Sequence, residues 1–560
     1  MAKKWKTVGK PDYKGSKLVD EAIIHLLLKN RGLTTTKEIE AFLQPKDPNT
    51  LSAKDVDIDK KSLDRAVKRM QKAINNKESI VVYADYDADG ITAGAIMWET
   101  LHELGAEVMP YIPHRVDEGY GLSQKGIDAV REQYHPTLII TVDHGITAHE
   151  KIAYAKSLGI DVIVTDHHVK PQKLPDCTIV HTTTLCGAGV SWFVARELLS
   201  KYETPEKRND ELIALAAIGT IADLVPLIGA NRCIVKFGLA SLNKTKRVGL
   251  DALISEAGLT KGQLGTFDIS HVLAPRLNAM GRLVHAMDAL RLLCTHREDK
   301  AMLLARTLGL TNKERQQLTM DMSAHAKDIV KQRNKTGEMK KLLFVAHESY
   351  NQGVIGLVAG KLVEEFYRPA IVLALGETVS KASARSIPGF NIVEAIRANS
   401  DILVDVGGHP MAAGFTVETQ NIAELQKRLE TFADKTLDDE NLKRSLRIDC
   451  EIPFTTATEA LWQAMRDFEP FGFGNPEPMF VSRGVIVDDA RLIGKDNRHL
   501  KLRLVSANSD RTIEAVAFGM GELYVHLRPD KPIDVAYTID MNVCNGTSRL
   551  QLKIKDIQVP

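Results

Sequence analysis

The sequence predicts an α/β chain: a parallel sheet flanked by helices, a long helical connector, a second α/β unit and a small C-terminal β-barrel. Three observations predict it. Between Ile80 and Thr165, β-branched apolar runs alternate with helical segments, the pattern of a parallel sheet covered on both faces. From about residue 250 to 335 the pattern stays helical and charged. After a charged linker at Lys435–Arg444, short alternating strands fill the rest of the chain.

Residues 1–60 read as an N-terminal helical segment, with Ala22–Leu28 apolar and Thr34–Leu43 a small capped helix. The unit at 61–240 starts with a charged helix, Lys60–Asn75. Ile80–Ala84 is a strand ending at DYDADG (85–90), followed by a helix over Ile91–Leu104. Val108–Pro113 is a second strand. Leu138–Val142 is a third, ending at DHG (143–145), with a helix over Ala148–Leu158. Val162–Thr165 is a fourth, ending at DHH (166–168). Helices at Ser191–Lys201 and Leu212–Leu224 follow. The connector at 241–337 holds amphipathic segments at Asp288–Cys294 and Lys300–Lys331. The second unit, 338–437, has a strand at Leu342–Ala346, a helix at Ile355–Phe366 and a strand at Ala370–Leu373. It closes with GGHPMAAG (407–414), a strand and the helix Ile422–Asp434. In 438–560, the strands Phe480–Ile486, Leu500–Leu504, Thr512–Phe518, Asp534–Asp540 and Leu550–Ile557 suit a five-stranded barrel. An OB-fold, which binds single-stranded nucleic acid, is the natural candidate.

At 560 residues the chain needs several cores. Hydrophobic residues make up 44% and charged residues 26%, as in ordinary globular proteins. No apolar run reaches the ~18–20 residues of a membrane span. The basic N-terminus has no apolar stretch behind it, so it does not read as a secretory signal. The six cysteines are scattered without a C-x-x-C pair. That argues against a zinc ribbon or disulfide framework and for a reducing, cytoplasmic setting. With 73 basic and 72 acidic residues, any track for nucleic acid must be local.

Three of these four strands end in acidic or imidazole residues: Asp85, Asp87 and Asp89; Asp143 and His144; Asp166, His167 and His168. In open α/β sheets, ligands bind at the carboxyl ends of strands, so these residues should converge on one crevice. Asp223 lies in an otherwise apolar helical stretch, Ala214–Val225, and a lone carboxylate there needs a partner. Crowded carboxylates repel one another unless cations neutralise them. Aspartate oxygens mixed with histidine nitrogens suit Mn²⁺, with Mg²⁺ the harder alternative. Two such ions, bridged by a carboxylate such as Asp143, can activate water and clamp an in-line phosphoryl displacement. One D-x-D or one His-His pair alone is more often a turn device or packing; three strand ends together favour the metal site. No G-x-G-x-x-G or G-x-x-x-x-G-K-[ST] follows a strand, which disfavours a Rossmann or P-loop site.

Other segments look like phosphate grips. PHRVDEGYGL (113–122) carries Arg115, APRLNAMGRL (274–283) carries Arg276, Asn278 and Arg282, and KASARSIPGF (381–390) carries Ser383, Arg385 and Ser386. Arginine forks beside serine hydroxyls suit a terminal phosphate. GGHPMAAG offers backbone N–H groups at Gly407–Gly408 and the imidazole of His409. RLIGKDNRHLKLR (491–503) gathers Arg491, Lys495, Arg498, Lys501 and Arg503 against Asp496, either a phosphate track or a solvated strand edge kept polar.

These motifs resemble the DHH-family phosphoesterases, and among them the RecJ-like single-strand exonucleases. NRGLTTTKEIEAFLQP (30–45), DYDADGIT, EGYGL, DHG, DHH, LCGAGV (185–190), GTIADLVPL (219–227), APRLNAMGRL, GVIGLVAGKL (353–362), SARSIPGFNI (383–392), GGHPMAAG and EPFGFGNPEP (469–478) carry the resemblance over nearly the whole chain. It implies a DHH domain, a linking helix, a DHHA1 domain and an OB-fold around a threaded single strand. That strand is cleaved from its 5′ end to 5′-mononucleotides in recombination and repair. Metal ligation by Mn²⁺ or Mg²⁺, expected as two ions, then falls to Asp85, Asp87, Asp89, Asp143, His167 and Asp223. His168 contacts the scissile phosphate. Arg115, Ser383 and Arg385 match the 5′-phosphate pocket, and Arg276, Asn278, Arg282 and His409 hold the DNA. Gly408, Lys495, Arg498 and Lys501 complete the expected DNA contacts. A monomer is expected, with single-strand binding protein and a RecQ-type helicase as partners. Two positions depart from the family pattern. Tyr350-Asn351-Gln352 stands where a histidine is usual before GVIG, and Ala84 stands where glycine usually precedes DYDADG. A DHH enzyme for short oligonucleotides or cyclic dinucleotides is the alternative, although neither substrate requires the connector and barrel. A degenerate binding protein is disfavoured by the intact Asp85, Asp87, Asp143, His167, His168 and Asp223.

Overall fold

The β-branched runs build the central sheet. Five parallel strands lie in the order Glu107–Tyr111, Ser79–Ala84, Leu138–Val142, Asp161–Asp166 and Thr178–His181. A computed structural model describes residues 3–12, 19–115, 117–203, 207–334, 339–506, 509–529, 531–544 and 547–559. Side chains alternate across the sheet: Ile80, Val82 and Ala84 join the main core, whereas Val81 and Tyr83 join a second cluster on the other face. The strand Thr178–His181 and the helix Gln124–Tyr134 are additions to the expected elements. The strand is only four residues long and borders polar turns, so its own pattern is weak.

The N-terminal segment is not purely helical, as was expected. Lys4–Gly9 is a strand paired in parallel with Ser445–Glu451. The partner is more than 400 residues away in sequence, and local periodicity carries no sign of such a pairing. Helices Val19–Asn30 and Thr36–Leu43 follow, and their Ile23, Leu27, Leu28 and Phe42 pack into the core of the C-terminal barrel. The two ends of the chain therefore share one core.

The connector culminates in a 37-residue helix, Glu298–Asn334, about 55 Å long. It delivers the second unit, a mixed sheet ordered Leu403–His409, Ala412–Glu418, Val379–Arg385, Ala370–Ala374 and Leu343–His347. KASARS (381–386) lies largely in the middle strand of this sheet. Ser380, Ala382 and Ala384 face inward, so Ser383 and Arg385 share the opposite face. GGHPMAAG is the tip of the hairpin between Leu403–His409 and Ala412–Glu418, with Leu403–His409 at the sheet edge.

The C-terminal barrel is closed. Phe480–Ile493 pairs with His499–Ser506, which pairs with Ser509–Ala517. Thr547–Gln558 and Ile533–Cys544 complete the circuit back to Phe480–Ile493. Among the described residues no helix is long and apolar enough to cross a membrane.

One buried side chain ties three segments together. Arg232, 1% exposed, donates to the carbonyls of Phe42, Asp467, Phe468 and Glu469. Its guanidinium also sits 3.9 Å from the Phe42 ring centroid. Arg232→Leu would remove the donor from the Phe42, Asp467 and Glu469 carbonyls, and one of two donors from Phe468. The expected loss is about 3 kcal/mol of unfolding free energy, measurable by urea denaturation against wild type.

Candidate metal centre and phosphate pocket

The strand ends converge as the sequence expected. Asp85 follows the strand Ser79–Ala84 and is buried, its Oδ1 accepting from the Tyr86 N–H at 2.8 Å. Asp87 caps the helix Ala88–Glu103, accepting from the Gly90 N–H at 3.0 Å. Asp89, inside the first turn, accepts from the Gly187 and Ala188 N–H groups at 2.7 and 2.8 Å. Those groups open the helix Gly187–Leu199, whose positive end suits a carboxylate. Asp143 adopts φ 67°, a left-handed conformation that an aspartate tolerates. Asp223 lies one residue beyond the helix Lys207–Ala222 rather than inside it, on the turn that leaves it.

His167 sits among these carboxylates. Its Nε2 is 3.1 Å from Asp143 Oδ1, 3.7 Å from Asp223 Oδ2 and 3.9 Å from Asp89 Oδ2. Donor atoms gather in three overlapping groups: Asp89, His167 and Asp223; Asp85, Asp87 and Asp143; and Asp143, His167 and His168. Burial, then mutual repulsion, raises the carboxyl pKa of Asp85, Asp87 and Asp143, and brings Asp223 to about 8. Asp143 Oδ1 is buried and has no hydrogen-bond partner. That orphaned oxygen and the mixed O/N donor set fit a divalent cation.

Glycines permit this crowding. A Cβ on Gly187 would lie 2.4 Å from Asp143 Oδ1, and one on Gly219 would lie 2.5 Å from Asp89 Oδ1. LCGAGV and GTIADLVPL are thus backbone supports for the aspartates.

Not every motif residue joins the cluster. His144 turns away and donates from Nε2 to the Tyr83 carbonyl at 3.0 Å, buried against the Tyr83 ring. Asp166 is an anchor: it accepts from the Ile146, His167 and His168 N–H groups and from His168 Nδ1 at 2.8 Å. His168 Nε2 meets the Tyr120 hydroxyl at 3.2 Å. Burial opposes a charge on His168, but the Asp166 hydrogen bond and charge prevail and raise it to about 9.

A second cavity of about 340 Å³ adjoins the metal cleft of about 1020 Å³, and Tyr86, Tyr120 and Gly414 line both. Arg115, Arg282, Ser383 and Arg385 line the smaller one. Burial, then Arg115 and Arg385, lowers Arg282 to about 10. Burial and Arg115 also lower Arg385. Arg115 lies over the Tyr86 ring at 4.8 Å, and Arg282 donates to the Gly353 carbonyl. Mutually repelling, half-buried arginines make a ready anion site. Gly407, Gly408, His409 and Arg397 face the metal cleft from the second unit.

Several expected DNA contacts are otherwise engaged. Arg276 pairs with Glu256 at 2.8 Å and donates to the Val272 carbonyl. It lines neither cavity. Asn278 Oδ1 accepts from the Ala88 N–H at 2.7 Å, holding the start of the DYDADG helix. In the barrel, Arg491 pairs with Asp489, Lys501 with Glu514 and Arg503 with Asp488. Lys495 and Arg498 are exposed, with no ion pair among the described residues. Sequence reasoning gave no role to Tyr86 and Tyr120, which lie inside DYDADG and EGYGL, and placed Asp166 among the converging strand-end residues without its anchoring role toward His168.

The His168–Asp166 pair predicts a pH dependence. A histidine raised to about 9 from its ordinary value near 6.5 stabilises the folded state fully below about pH 6.5. That contribution falls as pH rises and is lost through about pH 9. In metal-free protein, the His168 imidazole should titrate near 9 by NMR and near the ordinary value in Asp166→Asn.

Comparisons with known proteins agree with this geometry. Models of the DHH family N-terminal domain, the DHHA1 domain and the RecJ OB domain match residues 79–220, 339–435 and 448–556. The single-stranded-DNA-specific exonuclease RecJ of Bacillus subtilis is 38% identical over 549 residues, 96% of this chain and 68% of that protein. Its Salmonella typhimurium counterpart is 31% identical over 563 residues, 96% of this chain and 95% of that protein. The crystal structure of Thermus thermophilus RecJ with Mn²⁺ superposes with a TM-score of 0.84 at 29% identity, covering 100% of this chain and 80% of that one. The same protein with Mg²⁺ gives a TM-score of 0.79 at 28% identity, covering 100% and 78%. Matched in all three domains and along nearly its whole length, the chain belongs to the RecJ family of DHH phosphoesterases.

Proposed function

We propose that the protein is a divalent-metal-dependent exonuclease that degrades single-stranded DNA from its 5′ end to 5′-mononucleotides, in recombination and repair. The observation that carries this reading is the adjacency of an arginine-lined pocket to a carboxylate–imidazole cleft. The single-strand specificity named for the relatives, the closed barrel and the family membership support the substrate.

Asp89, His167 and Asp223 would hold one ion and Asp85 and Asp87 a second, with Asp143 available to either. Mn²⁺ or Mg²⁺ bound there would supply the Lewis acidity for phosphodiester hydrolysis. The protein's own groups do the positioning. Arg115, Ser383 and Arg385 take the terminal 5′-phosphate and set the first phosphodiester over the cleft. His168, held charged by Asp166 and in contact with Tyr120, faces the cleft to stabilise charge on the scissile phosphate. Arg282 holds the Gly353 backbone and adds positive charge to the phosphate pocket. His409 and the Gly407–Gly408 backbone approach the strand from the facing hairpin. On the barrel, exposed Phe518 packs edge-on against His499 at 5.4 Å, a platform suited to base stacking, and Lys495 and Arg498, without an ion pair among the described residues, lie in the turn before His499. A monomer working with single-strand binding protein and a RecQ-type helicase belongs to the same reading.

Digestion of 5′-phosphorylated single-stranded DNA with Mn²⁺ tests the reading. Wild type should release mononucleotides, and Asp143→Ala should lose at least about 10³-fold in rate. Inert wild-type protein with either metal, or faster turnover of a dinucleotide than of a long strand, would sink it. Arg385→Ala should raise KM for 5′-phosphorylated ends about tenfold or more while leaving 5′-hydroxyl ends nearly unchanged, since one charged hydrogen-bond partner is removed.

A further inference from the structure

EPFGFGNPEP (469–478) belongs to the C-terminal unit, yet its contacts lead to the metal cleft. Asp223 is followed by Leu224 at φ 59°, a left-handed conformation that leucine rarely adopts, so the turn needs support from outside. Pro226 and Leu227, at the end of this turn, meet the loop. The Leu227 N–H donates to the Phe473 carbonyl at 2.8 Å. A Cβ on Gly474 would lie 2.8 Å from Pro226 Cβ, and one on Gly472 would lie 2.6 Å from Leu227 Cδ1. Both glycines therefore let the loop lie directly against the segment that carries Asp223.

The loop is itself rigidly built. Gly472 and Asn475 exchange backbone hydrogen bonds at 2.9 and 3.1 Å. The Asn475 side chain, fully buried, donates to the Phe468 and Pro470 carbonyls and accepts from Arg31 Nε at 2.8 Å. Thr266 donates to the Phe471 carbonyl, and Arg232 holds the residues just before it. Contacts from three other parts of the chain thus fix the loop's position.

We propose that the loop Phe471–Asn475 is a positioning element for the metal centre, holding Asp223 at its coordinating position from behind. The C-terminal unit is then a structural part of the cleft, and any shift of the barrel relative to the sheet reaches Asp223 through Pro226 and Leu227. This rests on the reading of Asp223 as a metal ligand. Groups behind a ligand set its orientation, and their loss typically weakens metal binding about 10- to 100-fold.

The test is Mn²⁺ binding to the metal-free full-length chain, followed by the EPR signal of free Mn²⁺, with circular dichroism to verify folding. Gly474→Ala should weaken Mn²⁺ binding about tenfold or more, and Gly472→Val should weaken it in the same direction. Gly484→Ala has a similar left-handed strain, at φ 64° with open space around it, and should bind as wild type. In an Asp223→Ala background, Gly474→Ala should add no further loss. Wild-type Mn²⁺ binding by either folded loop variant would overturn the proposal, as would an undiminished effect in the Asp223→Ala background. If Asp223→Ala alone binds as wild type, the ligand reading of Asp223 fails instead.

Discussion

Repulsion among buried carboxylates is the constraint that orders this molecule. Asp85, Asp89 and Asp143 are nearly inaccessible, and Asp87 and Asp223 complete the same cleft. Without compensation the charged forms are disfavoured, as the raised pKa values of Asp85, Asp87, Asp143 and Asp223 show. The surrounding structure holds these groups where a cation can resolve the conflict. A helix N-terminus binds Asp89, a left-handed backbone aims Asp143, and His167 stands between them and Asp223.

The facing wall carries the opposite problem. Arg115, Arg282 and Arg385 repel one another, and burial with that repulsion lowers Arg282 and Arg385. An anionic chain end relieves the arginines, and divalent cations relieve the aspartates. The two sites meet at a boundary lined by Tyr86, Tyr120 and Gly414. The 37-residue helix, the shared core of the two chain ends and Arg232 bring units distant in sequence to that boundary.

Much of this was legible in the residues. Periodicity located the strands that end in DYDADG, DHG and DHH, because buried parallel strands are continuous β-branched runs. The alternation of the last five strands announced the barrel, and glycine with charge marked the segments that line the arginine-rich cavity. Less was legible where a role depends on orientation. His144 and His167 each follow an aspartate at a strand end, yet one bonds the Tyr83 carbonyl and the other enters the cluster. Arg276 and Asn278 lie on one helix, Ala274–Leu283, but Glu256 pairs with the first and the Ala88 N–H donates to the second.

The sequence by itself determined the reaction class and the order of the units, because residue type and local period suffice for those. Tertiary structure alone decided which imidazole and which arginine reach the cleft, since backbone φ at strand ends and partners hundreds of residues away set side-chain direction. It also decided that the chain's first strand pairs with Ser445–Glu451 and that EPFGFGNPEP packs against Pro226 and Leu227. Contacts that close over such separations leave no local period to read, because the pairing partner, not the segment, carries the information.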